Sequence, residues 1–330
     1  MTSKQEFKGA FAFELSMFLG EKRALGLKYV EEERLLHKLD KLSLLHDRAE
    51  GLTKDIVVTF IKPRPNWSRG TYEGHVILVS QVARFLNLHG IAAYMPDTTL
   101  KLGRDCSFSP YIFTKDEIRQ IFHEADNLYS ARSYIRSYDF YPVIFRLLYS
   151  SGLRISEALS LTMGDVDLVD GTVFIKNAKN HKDRLLPLNA QMVPYLERYA
   201  EKYHGSFLDD DYFFSPPHGG RYDKGTVYHR FRDIIFKCGI SHGGREKGGP
   251  RLHCIRHTFC VHSLRQFIEN GIDHRAALPI LSVYMGHSSI AATAKYLRLT
   301  AEAYPEISKQ MEEEFGHLIP VWEAADEEAD

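Results

Sequence analysis

Apolar residues recur at helical spacing through most of the chain. In residues 29–47, Val30, Leu35, Leu36, Leu39, Leu42 and Leu45 return with charges between them, and this spacing predicts a helix. Residues 5–26, 53–62 and 71–90 read the same way, so the first hundred residues predict four helices. The breaks are Gly51, ahead of the third helix, and KPRPNWSRG, ahead of the fourth. Thr53, followed by Asp55 and Ile56, reads as a capped start. Lys62, Arg64, Trp67 and Arg69 form a basic, aromatic-bearing loop, for which a plain solvated loop is an equal account.

The pattern changes after residue 101. LGRDCSFSPYIF, residues 102–113, has no clear period and reads as a linker, placing a boundary near residues 104–112. In TKDEIRQIFHEADNL, Thr114 and Glu117 fit a capping box. DLVDGTVFIK, NAKNHKD and RLLPL read as a hairpin, with Asp170-Gly171 a strong turn signal. The fold class expected is mainly α with a small β-hairpin or sheet. A helical domain covers 1–103, a linker 104–112, and an α+β domain 113–300. Residues 301–330 form a tail whose first half is an amphipathic helix carrying Tyr304, Ile307, Met311 and Phe315.

Composition adds bounds. The chain has 330 residues, 44% hydrophobic and 26% charged, as expected of a globular protein with room for two cores. No apolar run approaches the ~20 residues of a membrane span, and no signal-peptide pattern opens the chain, so a cytoplasmic location is expected. Cys106, Cys238, Cys254 and Cys260 form no CxxC pair, which fits a reducing compartment. Net charge is −1, but residues 301–330 hold ten acidic side chains against Lys309 alone. Removing them leaves 41 Lys+Arg against 33 Asp+Glu, or +8 over residues 1–300. A mildly basic body with an acidic tail is compatible with DNA binding.

Four stretches carry candidate chemistry. In SSGLRISEALSL, Gly152 ends one helix and Arg154 stands in the first turn of the next, where a cation opposes the helix dipole. A bound phosphate reconciles the two; an Arg154–Glu157 surface pair is the simpler account. Lys179, in the turn Asn177–Asp183, is either solvated or placed to reach across and donate a proton. In RLHCIRHTFCVH, His253 and Arg256 share a helix face. His253 and His257, with Cys254 and Cys260 nearby, could instead ligate zinc, but neither HExxH nor CxxC is present. In MGHSSIAATAKYLRLT, Ser288 or Ser289 caps a helix with Ile290, Ala294 and Leu297 as its apolar stripe. Tyr296 falls off that stripe and points back toward His287; a tyrosine covered by another part of the chain is the alternative.

Taken together these groups suit one reaction. Two arginines can clamp a phosphodiester, histidines can position it, a lysine can protonate a leaving alkoxide, and a tyrosine can attack. No carboxylate cluster with metal-site spacing and no GxxxxGK[ST] loop occurs, so neither metal nor nucleotide cofactor is implied.

GLRISEALSL, KNHKDRLLPL, LHCIRHTF and MGHSSIAATAKYLRL, in that order, resemble the tyrosine recombinase (phage integrase, Xer-like) family over about residues 110–300. Residues 1–103 are similar to its core-site-binding domain in organisation. The resemblance implies Arg154 and Arg256 as phosphate-clamping arginines and Lys179 as general acid toward the 5′ oxygen. It implies His253 and His287 at the phosphate and Tyr296 as the nucleophile forming a 3′-phosphotyrosyl link. Glu157 matches an acidic position beside the first arginine, and His257 the step after the second. Also implied are two domains clamped on opposite faces of double-stranded DNA, a homo-tetramer on paired sites, and a C-terminal helix docked in trans. A type IB-like topoisomerase and an inactive DNA-binding relative share the pattern. Two departures stand out. The stretch between Arg256 and His287 is about two helical turns longer than in compact Xer-like members, which points toward transposon-borne recombinases, and Lys176 and Lys182 compete with Lys179.

Overall fold

The computed structural model describes residues 6–65, 67–96, 110–128, 135–176, 183–205, 208–243, 249–287 and 289–304. They fall into two compact units, divided between residues 107 and 108, each with its own apolar core.

The first unit holds α1 (Ala12–Ala24), α2 (Val30–Leu42), α3 (Lys54–Ile61) and α4 (Arg69–Leu88). Phe11, Leu15, Phe18, Leu36, Leu39, Val57, Val79, Val82 and Leu86 meet in its centre. The first two helices are shorter than the periodicity predicts, for local reasons. The Asp40 carboxylate accepts the Lys8 and Gly9 N–H groups at 2.9 and 2.7 Å, fixing the chain before α1 as a non-helical strap. Tyr29, at φ 47°, sets the start of α2. Ser68 Oγ caps α4 by accepting the Thr71 N–H. Arg64 lies over the Trp67 ring, which meets the His75 ring at a tilt of 33° with centroids 4.0 Å apart.

The second unit opens at α5 (Lys115–Asp126), with the expected capping box. Thr114 Oγ1 accepts the Glu117 N–H, and Glu117 Oε2 accepts the Thr114 N–H. Then come α6 (Ile135–Ser151) and the single turn α7 (Ile155–Ala158). A three-stranded antiparallel sheet follows in the order β1 (Val166–Asp167), β2 (Thr172–Ile175), β3 (Arg184–Pro187). The Asp170-Gly171 turn joins β1 to β2, with Gly171 at φ 61°, so the expected hairpin carries a third short strand. Register pairs Val173 with Leu186 and Ile175 with Arg184. Residues 177–182, including Lys179 and Lys182, lie outside the described residues.

Next are α8 (Val193–Tyr203), α9 (Lys224–Lys237), α10 (Leu252–Glu269), α11 (His274–Met285) and α12 (Ile290–Ala303). Helix α10 packs against α6, α11 and α12 and is apolar on several sides, as a central helix must be. Helix α12 runs to Ala303, past residue 300 where the sequence closes the domain. The expected tail helix lies beyond the described residues except for Tyr304. No helix among the described residues is long and apolar enough to cross a membrane.

Candidate active site

The site starts at a bend. Gly152, at φ 60°, turns the chain from α6 toward α7, and a Cβ there would stand 2.4 Å from Phe259 Cδ1, so only glycine fits. Arg154 is the N-cap residue of α7, and Glu157 folds back to it. Glu157 Oε2 accepts the Arg154 backbone N–H at 2.9 Å, and Oε1 accepts from Arg154 Nη1 at 2.7 Å. The Arg154–Glu157 pair offered by the sequence is therefore present, but the Glu157 side chain is only 6% exposed. Burial alone would raise the Glu157 pKa; hydrogen bonds from Arg184 and Arg154 outweigh it and hold the carboxyl below its ordinary value.

Arg256 projects from α10 and is 3% exposed. Its Nη1 donates to the Gly152 carbonyl at 2.6 Å and its Nη2 to the Met285 carbonyl at 2.7 Å. One planar fork thus ties the bend before Arg154 to the end of α11. Desolvation, then the Arg154 charge, lowers its pKa to about 10, so it stays charged near neutrality.

Met285 is followed by Gly286, the left-handed C-cap of α11 at φ 63°, and by His287. His287 Nδ1 lies 2.7 Å from Thr293 Oγ1, and its ring stands parallel to the Tyr296 ring at 6.2 Å. Tyr296 is 1% exposed, and its hydroxyl is 2.8 Å from His257 Nδ1. The His257 ring meets the His253 ring edge-on at 4.8 Å. Desolvation comes first among the causes that depress all three imidazoles: His253 to about 4, His257 to about 3 and His287 to about 4. His253 is exposed, so burial can account for less of its shift than for the other two, and the Arg256 and Arg154 charges beside it push the same way. All three are neutral at pH 7. Burial raises the Tyr296 pKa, while Arg256 and Arg154 pull it the other way.

The structure thus gathers Arg154, His253, Arg256, His287 and Tyr296, from three separated stretches, into one connected cluster. The expected surface of α12 needs correction. Ser289 does cap the helix, its Oγ accepting the Ala292 N–H. However, Ile290 is 52% exposed, and the buried face is Thr293, Tyr296, Leu299 and Thr300. Tyr296 therefore lies on the core face, because α12 lodges against both α10 and α11 and the apolar count of one stripe does not decide which side turns inward.

Among the lysines, Lys176 Nζ pairs with Asp165 at 2.6 Å, which occupies it. Among the described residues, no group of three or more His, Cys, Asp or Glu side chains has metal-holding geometry. Arg184 went unnoticed in the sequence. Its signal is its place in the alternation of RLLPL: it shares a face with Leu186, and a charged residue there needs a partner.

The sequence pattern of the phage integrase family matches residues 112–303. The chain belongs to this family. It is a tyrosine recombinase, and its general activity is site-specific DNA recombination. The Sinorhizobium fredii protein y4rB, named as an integrase/recombinase, is 27% identical over 301 residues, covering 89% of this recombinase and 95% of y4rB. The tyrosine recombinase XerD of Yersinia pestis is 30% identical over 172 residues, about half of each chain (51% and 52%). Among solved structures, the Tn1549 transposon integrase in complex with a circular intermediate DNA superposes with a TM-score of 0.60 at 18% identity, covering 89% of this chain and 98% of that one. XerH bound to its difH substrate gives 0.57 at 19% identity, covering 82% and 76%. At these identities the likeness is one of fold.

Proposed function

We propose that this recombinase cuts and rejoins double-stranded DNA at specific sites through a 3′-phosphotyrosyl intermediate, in the movement of a mobile element. The observation that carries this reading is the cluster itself: a tyrosine hydroxyl bonded to His257, with His287 alongside its ring, near the Arg154 and Arg256 guanidinium groups. Arg154 and Arg256 hold the scissile phosphate and offset the charge that builds on its non-bridging oxygens. His253 and His287 orient that phosphate as neutral hydrogen-bonding groups. The Tyr296 oxygen, losing its proton to water, attacks phosphorus as the bond to the 5′ oxygen breaks, and Lys179 protonates that leaving oxygen. The phosphodiester energy stays in the tyrosyl link, so a second 5′ hydroxyl can rejoin it without a cofactor.

Because Tyr296 is buried, DNA binding has to part its hydroxyl from His257 and turn it toward the phosphate. The mobile-element assignment draws on the length of chain between Arg256 and His287 and on the relative named as an integrase/recombinase. Strand exchange calls for paired sites, hence a homo-tetramer on DNA in the cytoplasm. In it the first unit holds DNA through the loop bearing Arg64 and Trp67, and residues 302–316 dock on a neighbouring subunit, although Tyr304 itself packs against His262 and Arg265 of its own chain.

Tyr296→Phe tests the chemistry. It keeps the ring and its packing and removes the attacking oxygen. DNA binding should persist while the covalent protein–DNA species disappears; a Phe variant that still links to DNA refutes the assignment.

A further inference from the structure

Arg184 leads β3, and its side chain is 10% exposed. It donates from Nη2 to Glu157 Oε2 at 2.9 Å, from Nη1 to Oε1 at 3.4 Å, and from Nε to the Tyr284 carbonyl at 3.2 Å. A Cβ placed on Gly286 would come within 2.9 Å of Arg184 Nη1, so the guanidinium also borders the turn that carries His287. We infer that Arg184 is a positioning residue: it fixes Glu157 and the end of α11, and through Glu157 sets the attitude of Arg154.

A carboxylate offers about four lone-pair positions. Arg154 takes one on each oxygen of Glu157, and Arg184 takes another on each. Arg256 Nη1 is thereby kept at 4.0 Å from Oε2 and spends its hydrogen bond on Gly152 instead. Without Arg184, Glu157 is a buried anion with two vacant acceptor positions. The nearest donors to fill them are Arg256 and the remaining N–H groups of Arg154. Either choice draws a guanidinium away from the phosphate. Lysine can supply the charge, but a single ammonium cannot span Glu157 and the Tyr284 carbonyl as the fork does.

The inference rests on the reading of Arg154 as a phosphate-binding group, and the experiment separates the two. Single-turnover formation of the covalent complex on a nicked duplex site, with DNA affinity measured separately, is followed for Arg184→Lys, Arg184→Gln, Arg154→Lys and the Arg154→Lys/Arg184→Lys double variant. Arg184→Lys, which keeps Glu157 neutralised and so keeps the fold, should bind DNA within about twofold of the wild type. It should form the covalent complex at least about tenfold more slowly, with an unchanged melting temperature. The double variant should lose clearly less than the product of the two single losses, because Arg184 acts in part through Arg154. Arg184→Gln should be slower still, and if it fails to fold, Arg184→Lys decides. Wild-type cleavage by Arg184→Lys, or a double variant slowed by the product of the two single losses, overturns the positioning role. Wild-type cleavage by Arg154→Lys instead overturns the phosphate-clamp reading beneath it.

Discussion

On one side of the site, three guanidinium groups share a single carboxylate and three backbone carbonyls, those of Gly152, Tyr284 and Met285. On the other, Tyr296 sits among Cys260, Val261, Leu264, Ala277, Leu281, Met285 and Leu299, and its hydroxyl has one neutral partner, His257. Hydrogen bonds involving charged groups are worth roughly 1.5–3 kcal/mol each, against about 1 kcal/mol for a neutral one. The arginine side is therefore assembled before DNA arrives, and its cost is met during folding. The tyrosine side holds its reactive group by packing and by a single bond that is cheap to exchange. Such a division suits the proposed chemistry, in which a fixed cradle would hold a phosphate and Tyr296 would be freed only when DNA is present.

The largest effect is expected where the rigid side is cut. Arg256→Lys keeps the charge but cannot reach both the Gly152 and Met285 carbonyls, so the bend and the end of α11 come apart. Losing a preorganised charge donor costs ~10²–10³ in rate, and Arg256→Lys should lose at least that in covalent-complex formation while still binding DNA. Cleavage within a few fold of the wild type means that the two carbonyl ties do not define the cradle.

A smaller effect should come from Gly286→Ala. Forcing a residue with a Cβ into the left-handed region costs roughly 1–2 kcal/mol, and this Cβ would also press on Arg184. Gly271, at φ 75° with nothing near a new Cβ, supplies the comparison. Gly271→Ala should lower the melting temperature through strain alone and leave cleavage intact. Gly286→Ala should lower it further and slow cleavage as well. Equal melting temperatures and equal rates would show that the Gly286 turn and Arg184 do not constrain each other.

How much of this was legible in the sequence follows the same division. Several local signals hold: the capping box at Thr114, the Asp170-Gly171 turn and the Ser289 cap read directly from neighbouring residues, whereas Thr53 precedes α3 without a side-chain cap bond and the first two helices are shorter than their spacing predicts. The order and context of Arg154, His253, Arg256, His287 and Tyr296 single them out as candidates, and the structure brings their side chains together. What failed depended on contacts distant in sequence. Tyr296 was assigned to the exposed side of α12, since a stripe of Ile290, Ala294 and Leu297 is apolar; the sequence does not show that α10 and α11 both press on the Thr293–Tyr296–Thr300 face. Arg184 was passed over because its partners, Glu157 and the Tyr284 carbonyl, lie 27 and 100 residues away.

The mildest test uses pH. His253, His257 and His287 titrate at about 4, 3 and 4 in the folded protein, against an ordinary value of 6.5. Burial disfavours the imidazolium, so below 6.5 the unfolded chain binds protons that the folded one refuses. Stability is thus whole above about pH 6.5 and is lost progressively as pH falls from there toward about 4. Glu157, on the arginine side, is displaced the opposite way from the usual buried carboxyl. Its pKa lies below 4.5, so that side gives way only at more acid pH. The urea midpoint of the purified recombinase should therefore decline between about pH 7 and about pH 5, before any loss on the arginine side. His257→Gln removes the most depressed of the three imidazoles while leaving a side chain able to bond the Tyr296 hydroxyl. Its midpoint should fall less over that range than the wild type's. A decline of the same slope in both proteins would mean that His257 is not held neutral by its surroundings, and the contrast between the two sides of the site would lose its electrostatic basis.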